Sequence, residues 1–281
     1  MTSRIPTSPM AGTARWIAAA RARESGRPDA LFSDPFAHLF DGKVGAEMLA
    51  LSKSATGGEN QFLAVRTRYF DDVLLESLHE RSQVVLLGAG FDMRAFRLPL
   101  PAGTRVWELD RAELLAEKES VLARCGAVPR CDRIAVPANF AAEWADALPA
   151  AGHDPARPTV WLAEGLLYYL PASAVTGLLR QARGHSSLGS LFLADVFGTG
   201  LLAQPEMKPY LRWLEHAMLP TPFCTDDPGG LLAACGWRAE GGTQAGAADA
   251  NFGRFPKVPM PAPSQDSVNQ RAYLVRAVAA E

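Results

Sequence analysis

The feature that most constrains the fold of this chain is a glycine turn, Gly88–Gly90, which ends the apolar run Val84–Leu87. A second short apolar run begins at Arg105 and ends in Asp110, about 20 residues after the turn. In an α/β sheet this spacing brings a glycine turn and an acid together at the carboxyl ends of adjacent strands. Glycines let the backbone approach a ligand closely, and the acid accepts hydrogen bonds from a ribose diol. The pattern therefore predicts a nucleotide-like cofactor at Gly88, Ala89, Gly90 and Asp110.

Strand and helix patterns alternate downstream of the turn. The sequence predicts strands at 83–87, 105–109, 133–136, 159–163 and 190–196, and helices at 111–124 and 171–183. Such alternation is typical of a parallel sheet covered by helices on both faces. The closing runs 237–240 and 272–278 suit a terminal antiparallel hairpin. We therefore predict an α/β, Rossmann-like fold whose mostly parallel sheet ends in an antiparallel hairpin.

The segment 61–81 has helical periodicity, with apolar residues along one broad face. At about 100° per residue, Arg66 falls near the middle of that face, whereas Arg68 falls outside it. A charge inside an apolar stripe needs a partner. We expect Arg66 to contact either a cofactor or an internal carboxylate such as Asp71 or Asp110.

The residues after the glycine turn argue against a dinucleotide. The dinucleotide fingerprint needs a small third residue, but Met93 stands there and would obstruct the pyrophosphate. Pro99 and Pro101 then end any helix early, so no long helix begins at the turn. A cofactor without phosphates, such as S-adenosylmethionine, suits this arrangement. The P-loop pattern of many ATP-hydrolysing proteins is also absent from the sequence.

Four motifs follow one another in order along the first two thirds of the chain. They are Val65–Asp71, Leu87–Leu98, Glu108–Asp110 and Trp161–Pro171. Their order and spacing resemble the leucine carboxyl methyltransferase family, and most closely its bacterial branch of polyketide-type O-methyltransferases. The resemblance covers roughly residues 13–196, includes Arg21–Ser25 and Asp34-Pro35, and becomes thin beyond them.

The resemblance implies a class I methyltransferase fold, with S-adenosylmethionine as methyl donor and S-adenosylhomocysteine as product. By position, Arg66 and Gly88 would contact the methionine end of the cofactor, and Asp110 would hold the ribose hydroxyls. Glu164 would lie at the amino-acid end, and Arg21 would reach the cofactor carboxylate from the N-terminal segment. These roles are what the family pattern implies for this chain.

The same carry-over places Asn139 and Phe140 beside the adenine. Asn139 stands where many relatives have Asp; an amide still bonds the adenine edge, although more weakly. Met93 stands where Thr is common in the family, and we draw no consequence from it. Tyr169 matches a tyrosine of the family, which implies a role near the substrate or the transferred methyl group.

The reaction expected from these residues is O-methylation. A carboxylic acid has a pKa near 4 and is ionised at neutral pH, so it needs no general base. A phenol has a pKa near 10 and would need one, for which His216 or a tyrosine such as Tyr169 is the first candidate. The chain shows no obvious catalytic dyad, so we predict a methyl ester formed on a small polyketide-like acid of secondary metabolism. Phenol or hydroxyl methylation is the alternative.

We predict a single methyltransferase domain over residues 1–281. Its parts are an N-terminal helical extension at 1–60, a cofactor-binding core at 61–196, a lid insertion at 197–223 and C-terminal strands at 224–281. The lid region is rich in proline, methionine and aromatic residues, which suits an apolar acid. The oligomeric state is not readable from the pattern.

Charge and composition narrow the classes of partner and function that remain open. A net charge of −2 favours neither nucleic acid nor an anionic membrane as a partner. No run approaches the roughly 18–20 apolar residues of a membrane span, and the four cysteines form no C-x-x-C pair, so we expect a cytoplasmic protein with reduced thiols and no metal. Two other classes stay open: an NAD-dependent oxidoreductase, disfavoured by Met93, and a protein that binds the nucleotide cofactor without transferring methyl.

Overall fold

A computed structural model describes residues 9–56, 58–216, 222–255 and 272–281. One seven-stranded sheet forms its centre, with strand order β3-β2-β1-β4-β5-β7-β6. The strands are β1 Gln83–Leu87, β2 Arg105–Asp110, β3 Asp132–Pro137, β4 Thr159–Ala163, β5 Leu191–Phe197, β6 Trp237–Gln244 and β7 Ala272–Ala279. β1 to β5 are parallel, and β7 runs antiparallel to both β5 and β6. The predicted α/β fold with its antiparallel C-terminal pair is confirmed.

Ten α-helices are found in the described part of the chain. They are α1 Pro9–Ser25, α2 Gly42–Thr56, α3 Gln61–Ser77, α4 Arg94–Arg97, α5 Ala112–Cys125, α6 Ala147–Ala150, α7 Ala172–Gly184, α8 Thr199–Leu202, α9 Lys208–His216 and α10 Pro228–Ala233. None of these helices is long and apolar enough to cross a membrane. α1 and α2 pack against each other, and α9 packs against α2.

The strand sequences explain the burial of the sheet. β1, β4 and β5 are buried along their whole length, as expected of central parallel strands covered on both faces. β3, at the edge, is largely exposed. β1 and β4 lie side by side in the middle of the sheet. After β1 the chain adds β2 and β3 on one side, and after β4 it adds β5 on the other side. A ligand crevice is expected at the carboxyl ends of strands at such a switch point.

Element boundaries differ most from the predictions at the end of α3, which stops at Ser77, and at the end of β6, which continues to Gln244. α2 extends to Thr56, so the loop before α3 is short. After the glycine turn only the four-residue helix α4 forms, which agrees with the early stop that Pro99 and Pro101 predict. In the predicted lid, α8, a turn at 205–207 and α9 are described, whereas 217–221 lie outside the described residues.

Candidate cofactor and acceptor site

A cavity of about 690 Å³ opens at the carboxyl ends of β1, β2 and β4. Its wall combines α1, α2, α3, the glycine turn, the ends of β2 and β3, the residues after β4, the segment 197–210 and three residues near the C-terminus, Ala245, Phe255 and Ala272. The structure brings all nine predicted cofactor residues to this wall: Arg21, Arg66, Gly88, Ala89, Gly90, Asp110, Asn139, Phe140 and Glu164. Tyr169 lies on the same wall, but His216 does not.

The glycine turn and Asp110 form one connected unit. Gly88 and Gly90 have φ values of 66° and 47°, in the left-handed region that favours glycine. Gly90 donates its N–H to Oδ2 of Asp110 over 2.8 Å, and Arg111 donates its N–H to Oδ1 over 2.7 Å. Burial raises the pKa of Asp110 above its ordinary value, against the effect of these two donors. The carboxylate is therefore fixed in orientation and keeps further lone pairs for hydroxyl groups of a ligand.

Gly88 also lies close to the wall opposite the turn. A Cβ at this position would come within 2.8 Å of Cδ1 of Leu166. Leu166 follows β4 and itself lines the cavity. Both glycines thus permit the left-handed backbone conformation, and Gly88 also leaves room for Leu166. The close approach of a ligand to the turn stays a prediction.

Glu164 directly follows β4 and is held by two arginines. Its Oε1 accepts from Nε of Arg66 over 3.0 Å and from Oγ1 of Thr67 over 2.9 Å. Its Oε2 accepts from Nη2 of Arg94 over 2.6 Å. Burial acts to raise the pKa of Glu164, but the neighbouring Arg94 and Arg66 outweigh it and lower this pKa to about 2. Glu164 is therefore a permanent anion on the cavity wall and is unsuited to take up a proton at neutral pH.

Arg66 is buried, with 3% of its side chain exposed. Its place in the apolar stripe requires a partner for its charge. It does pair with internal carboxylates, but the partners are Glu164 and Asp195, so the suggested pairing with Asp71 or Asp110 is wrong. Nη1 donates to Oδ2 of Asp195 over 2.8 Å, and Asp195 also accepts from the N–H that follows Glu164. None of the described residues accepts from Nη2, which leaves that nitrogen for a ligand.

A second set of ion pairs anchors α3 to the glycine turn, and sequence reasoning missed it. Arg94 donates from Nε to Asp71 over 2.8 Å and also pairs with Asp92 in the turn. Arg97 donates to the same Asp71 over 2.6 Å. Asp71 lies on α3 inside the first family motif, so its place there was the available signal. These pairs fix the turn relative to Arg66 on the same helix.

Arg21 has a similar anchoring role. Its Nε donates to Asp34 over 2.9 Å, and its Nη2 donates to the carbonyl oxygen of Phe91 over 2.6 Å. α1 is therefore tied directly to the glycine turn. Arg21 lines the cavity as predicted, while much of its bonding capacity is already used by the protein.

The predicted adenine end lies at the close of β3. The carbonyl of Asp110 accepts from the N–H of Ala138 over 2.8 Å, which places the following residues beside Asp110. Asn139 accepts through Oδ1 from the N–H of Ala141 over 3.1 Å, and no acceptor for its amide nitrogen is found in the described part of the chain. Phe140 packs edge-on against Trp144 at 5.5 Å between ring centroids.

The other half of the cavity is largely aromatic. Tyr210 on α9 donates its hydroxyl to that of Tyr169 over 3.1 Å. Tyr168 stacks on Phe197 with ring centroids 4.1 Å apart. Trp16 packs against Tyr210 at 5.9 Å. This half of the cavity therefore offers flat apolar walls and a pair of phenolic hydroxyls.

His216 lies at the exposed end of α9, away from the cavity. Its Nδ1 is 2.6 Å from the carbonyl oxygen of Arg212 on the same helix. The reason is helical geometry: His216 follows the buried Leu214 by two positions, which is about 200° around the helix axis. No histidine or lysine is found among the described residues of the cavity wall.

The strand order, the antiparallel last strand and the cavity at the switch point define a class I methyltransferase fold. Two solved structures share this fold. A provisionally named methyltransferase from Thermobifida fusca aligns with a TM-score of 0.60 and 14% identity, covering 100% of both chains. A DUF574 family protein from Streptomyces avermitilis aligns with a TM-score of 0.58 and 15% identity, covering 93% of this chain and 96% of that one.

Sequence comparison gives the family. The model of leucine carboxyl methyltransferase matches residues 14–183. A relative from Frankia alni is 40% identical over 246 residues, covering 84% of this chain and 85% of the relative. Another, from Streptomyces avermitilis, is 38% identical over 250 residues, covering 85% and 87%. Both carry the provisional name of S-adenosyl-L-methionine-dependent methyltransferase. The chain belongs to the leucine carboxyl methyltransferase family, and the family predicted from its motifs is confirmed.

Proposed function

We propose that this protein transfers the methyl group of S-adenosylmethionine to the carboxylate of a small, polyketide-like acid. The products are a methyl ester and S-adenosylhomocysteine. Membership of the leucine carboxyl methyltransferase family supports both the donor and the carboxylate acceptor. The observation that carries the choice of acceptor is the cavity wall, whose described residues include no group suited to act as a general base at neutral pH.

The residues of the cavity fit the donor. Asp110, oriented by two backbone N–H groups, is placed to accept hydrogen bonds from a ribose diol. Asn139 and Phe140 would flank the adenine. Nη2 of Arg66 and the remaining lone pairs of Glu164 would hold the carboxylate and the ammonium of the methionine moiety. When bound, this cofactor supplies an electrophilic methyl group.

Transfer to a carboxylate requires alignment rather than proton chemistry. One oxygen–carbon bond forms, one sulfur–carbon bond breaks, and no proton moves because the acid is already ionised. The protein's contribution is to hold the acceptor oxygen in line with the methyl group and to exclude water. Aromatic walls and the packing of α9 against α2 suit that task.

A phenolic acceptor fits the same wall less well. Burial raises the pKa of Tyr169, and burial together with the neighbouring Tyr169 raises that of Tyr210. Both hydroxyls therefore remain protonated near neutral pH and are unsuited to remove a phenolic proton. Glu164, with a pKa lowered to about 2, is equally unsuited.

A turnover assay tests the proposal. Purified protein with S-adenosylmethionine is given a panel of aryl and medium-chain alkyl carboxylic acids and a matched panel of phenols, and S-adenosylhomocysteine is measured. We expect turnover with acids. Turnover with phenols alone would establish the alternative acceptor. Calorimetric binding of S-adenosylmethionine without turnover on either panel would support a cofactor-binding protein, and preferential binding of NAD would support an oxidoreductase.

A further inference from the structure

Two tyrosine hydroxyls from distant parts of the chain meet on the acceptor side of the cavity. Tyr169 lies in the turn that follows β4, and Tyr210 is delivered by α9, yet their oxygens are 3.1 Å apart. Both residues line the cavity. The ring of Tyr210 is supported by Trp16 of α1, with 5.9 Å between ring centroids. Tyr169 belongs to the motif Trp161–Pro171, whereas Tyr210 belongs to no motif that the sequence pattern singles out.

The charged groups nearby are already matched against one another. Arg66 faces two carboxylates, Glu164 at 3.0 Å and Asp195 at 2.8 Å. Arg94 likewise faces Glu164, Asp71 and Asp92. An acceptor carboxylate entering this half of the cavity therefore meets no cation with charge to spare among the described wall residues near Tyr169. Its desolvated charge still requires hydrogen-bond donors.

Phenolic hydroxyls are well suited to that need. Burial raises the pKa of Tyr169 against the lowering effect of Tyr210, nearby Arg66 and a hydrogen bond with Thr13, and it raises the pKa of Tyr210 further. Both groups consequently remain O–H donors across the neutral range. A hydrogen bond from a neutral donor to a carboxylate is strong enough to orient it, but it does not neutralise the charge as an ion pair would.

We propose that Tyr210 is a substrate-recognition residue which, with Tyr169, forms a two-hydroxyl clamp on one oxygen of the acceptor carboxylate. The proposal rests on the proposed function. On binding, both O–H groups turn toward the ligand, and the bonds that they make within the protein, among them the bond between the two tyrosines, are exchanged for bonds to the anion. The second carboxylate oxygen is left to attack the methyl group. The ester product is neutral and accepts weaker hydrogen bonds, so the clamp favours its release.

The position of Tyr210 on α9 makes the clamp dependent on that helix. α9 is held against α2, and it lies in the segment where resemblance to the family is thin. Discrimination between acids and uncharged analogues is therefore expected to depend on a residue that lies outside the match to the family model, which ends at residue 183. Acceptor choice would be set there, while donor binding is set by the glycine turn and Asp110.

Tyr210→Phe tests the clamp, because it removes only the hydroxyl and keeps the ring against Trp16. The matched control is Tyr69→Phe, which removes a phenolic hydroxyl from α3 outside the cavity. With the best acid of the panel, we expect Tyr210→Phe to raise KM about 10- to 100-fold, the range expected for a hydrogen bond to a charged group. The affinity for S-adenosylhomocysteine is expected to stay unchanged, and Tyr69→Phe to match the wild type.

A second measurement separates recognition from structure. Binding of the same acid and of its primary carboxamide is measured by calorimetry with S-adenosylhomocysteine present. Wild-type protein is expected to prefer the acid, and Tyr210→Phe to lose most of that preference. An unchanged KM and preference would overturn the clamp while leaving acid methylation intact. A parallel loss of S-adenosylhomocysteine affinity would make Tyr210 merely structural. Methylation of phenols but of no acid would overturn the proposed function, and the clamp with it.

Discussion

The N–H of Gly90 donates to Oδ2 of Asp110 over 2.8 Å, and this bond links the two halves of the sequence pattern at the end of the sheet. The glycine turn does more than admit a ligand, because it also orients the acid that follows the neighbouring strand. β1 and β2 pair in parallel from Gln83 with Arg105 to Leu87 with Leu109, so both strands end at the same edge. The spacing seen in sequence is the spacing needed for this contact.

Replacing Asp110 by Ala is expected to reduce affinity for S-adenosylhomocysteine at least tenfold. Hydrogen bonds from a diol to an ionised acceptor contribute a few kcal/mol, and the variant removes them. Asp132→Ala, an exposed acid on the adjacent strand β3, is the control and is expected to bind as the wild type does. Isothermal calorimetry gives both values. Equal affinities in the two variants would refute the ribose role of Asp110.

Gly88→Ala is expected to destabilise the protein by about 1–3 kcal/mol, from a left-handed backbone and a crowded Cβ. The new methyl group would meet Cδ1 of Leu166 at 2.8 Å. Gly177→Ala, inside α7 with nothing within 4 Å of the new Cβ, is the control and should gain about 0.5–1 kcal/mol. Urea denaturation measures both, and changes of the same sign would contradict the account.

Arg66→Gln is expected to cost about 3–5 kcal/mol of unfolding free energy, because it leaves the fully buried Asp195 without its cation. Arg68→Gln, two positions along the same helix, removes the ion pair between Arg68 and Asp72. The side chain of Arg68 is 40% exposed and that of Asp72 is 38% exposed. That loss is expected to be below about 1 kcal/mol. Chemical denaturation of the two variants provides the comparison. Similar costs would show that the buried pairs around Arg66 do not hold α3 in place.

Stability is expected to decline as pH falls from about 6.5 because of His153. This ring is packed between Trp107 and Trp161, and its Nε2 lies 2.9 Å from Oγ1 of Thr159. Burial, with a smaller effect of His185, lowers its pKa from 6.5 to about 4. Between pH 6.5 and about pH 4, His153 takes up a proton in the unfolded chain but not in the folded protein, so acid favours unfolding. The contribution of His153 to stability is therefore fully present only above pH 6.5.

The pH effect is checked by urea denaturation at intervals from pH 8 to pH 5, above the range in which Glu164 titrates. His153→Gln is expected to flatten the decline, whatever its effect on absolute stability. His38→Gln, at an exposed position, is the control and should retain the wild-type slope. An unchanged slope in His153→Gln would place the responsible group elsewhere.

The meeting of the predicted cofactor residues on one cavity wall was predictable because its signals are local. Gly88 and Gly90 follow β1, and Asp110 is the last residue of β2. The strands 83–87 and 159–163 have the predicted bounds because uninterrupted apolar runs need burial on both faces. Arg66 could be placed on the buried face of α3 by periodicity alone. Its environment was therefore predictable, although its partners were not.

The acceptor half was not predictable, for a physical reason. Tyr210 meets Tyr169 across 41 positions, and no local pattern encodes that meeting, just as none encodes the pairing of Arg66 with Asp195 across 129 positions. His216 was chosen for its place in the segment that covers the acceptor half. Its position relative to Leu214 on α9 turns it to solvent, and that orientation depends on the bounds of a helix that was not predicted.

The chemistry of the product tests the central claim most directly. Protein is incubated with methyl-labelled S-adenosylmethionine and the best acceptor of the acid panel, and the isolated product is treated with mild alkali. A carboxyl methyl ester is hydrolysed under these conditions, so we predict release of the label as methanol. A product that keeps its label in alkali would be an ether and would contradict methylation of a carboxylate.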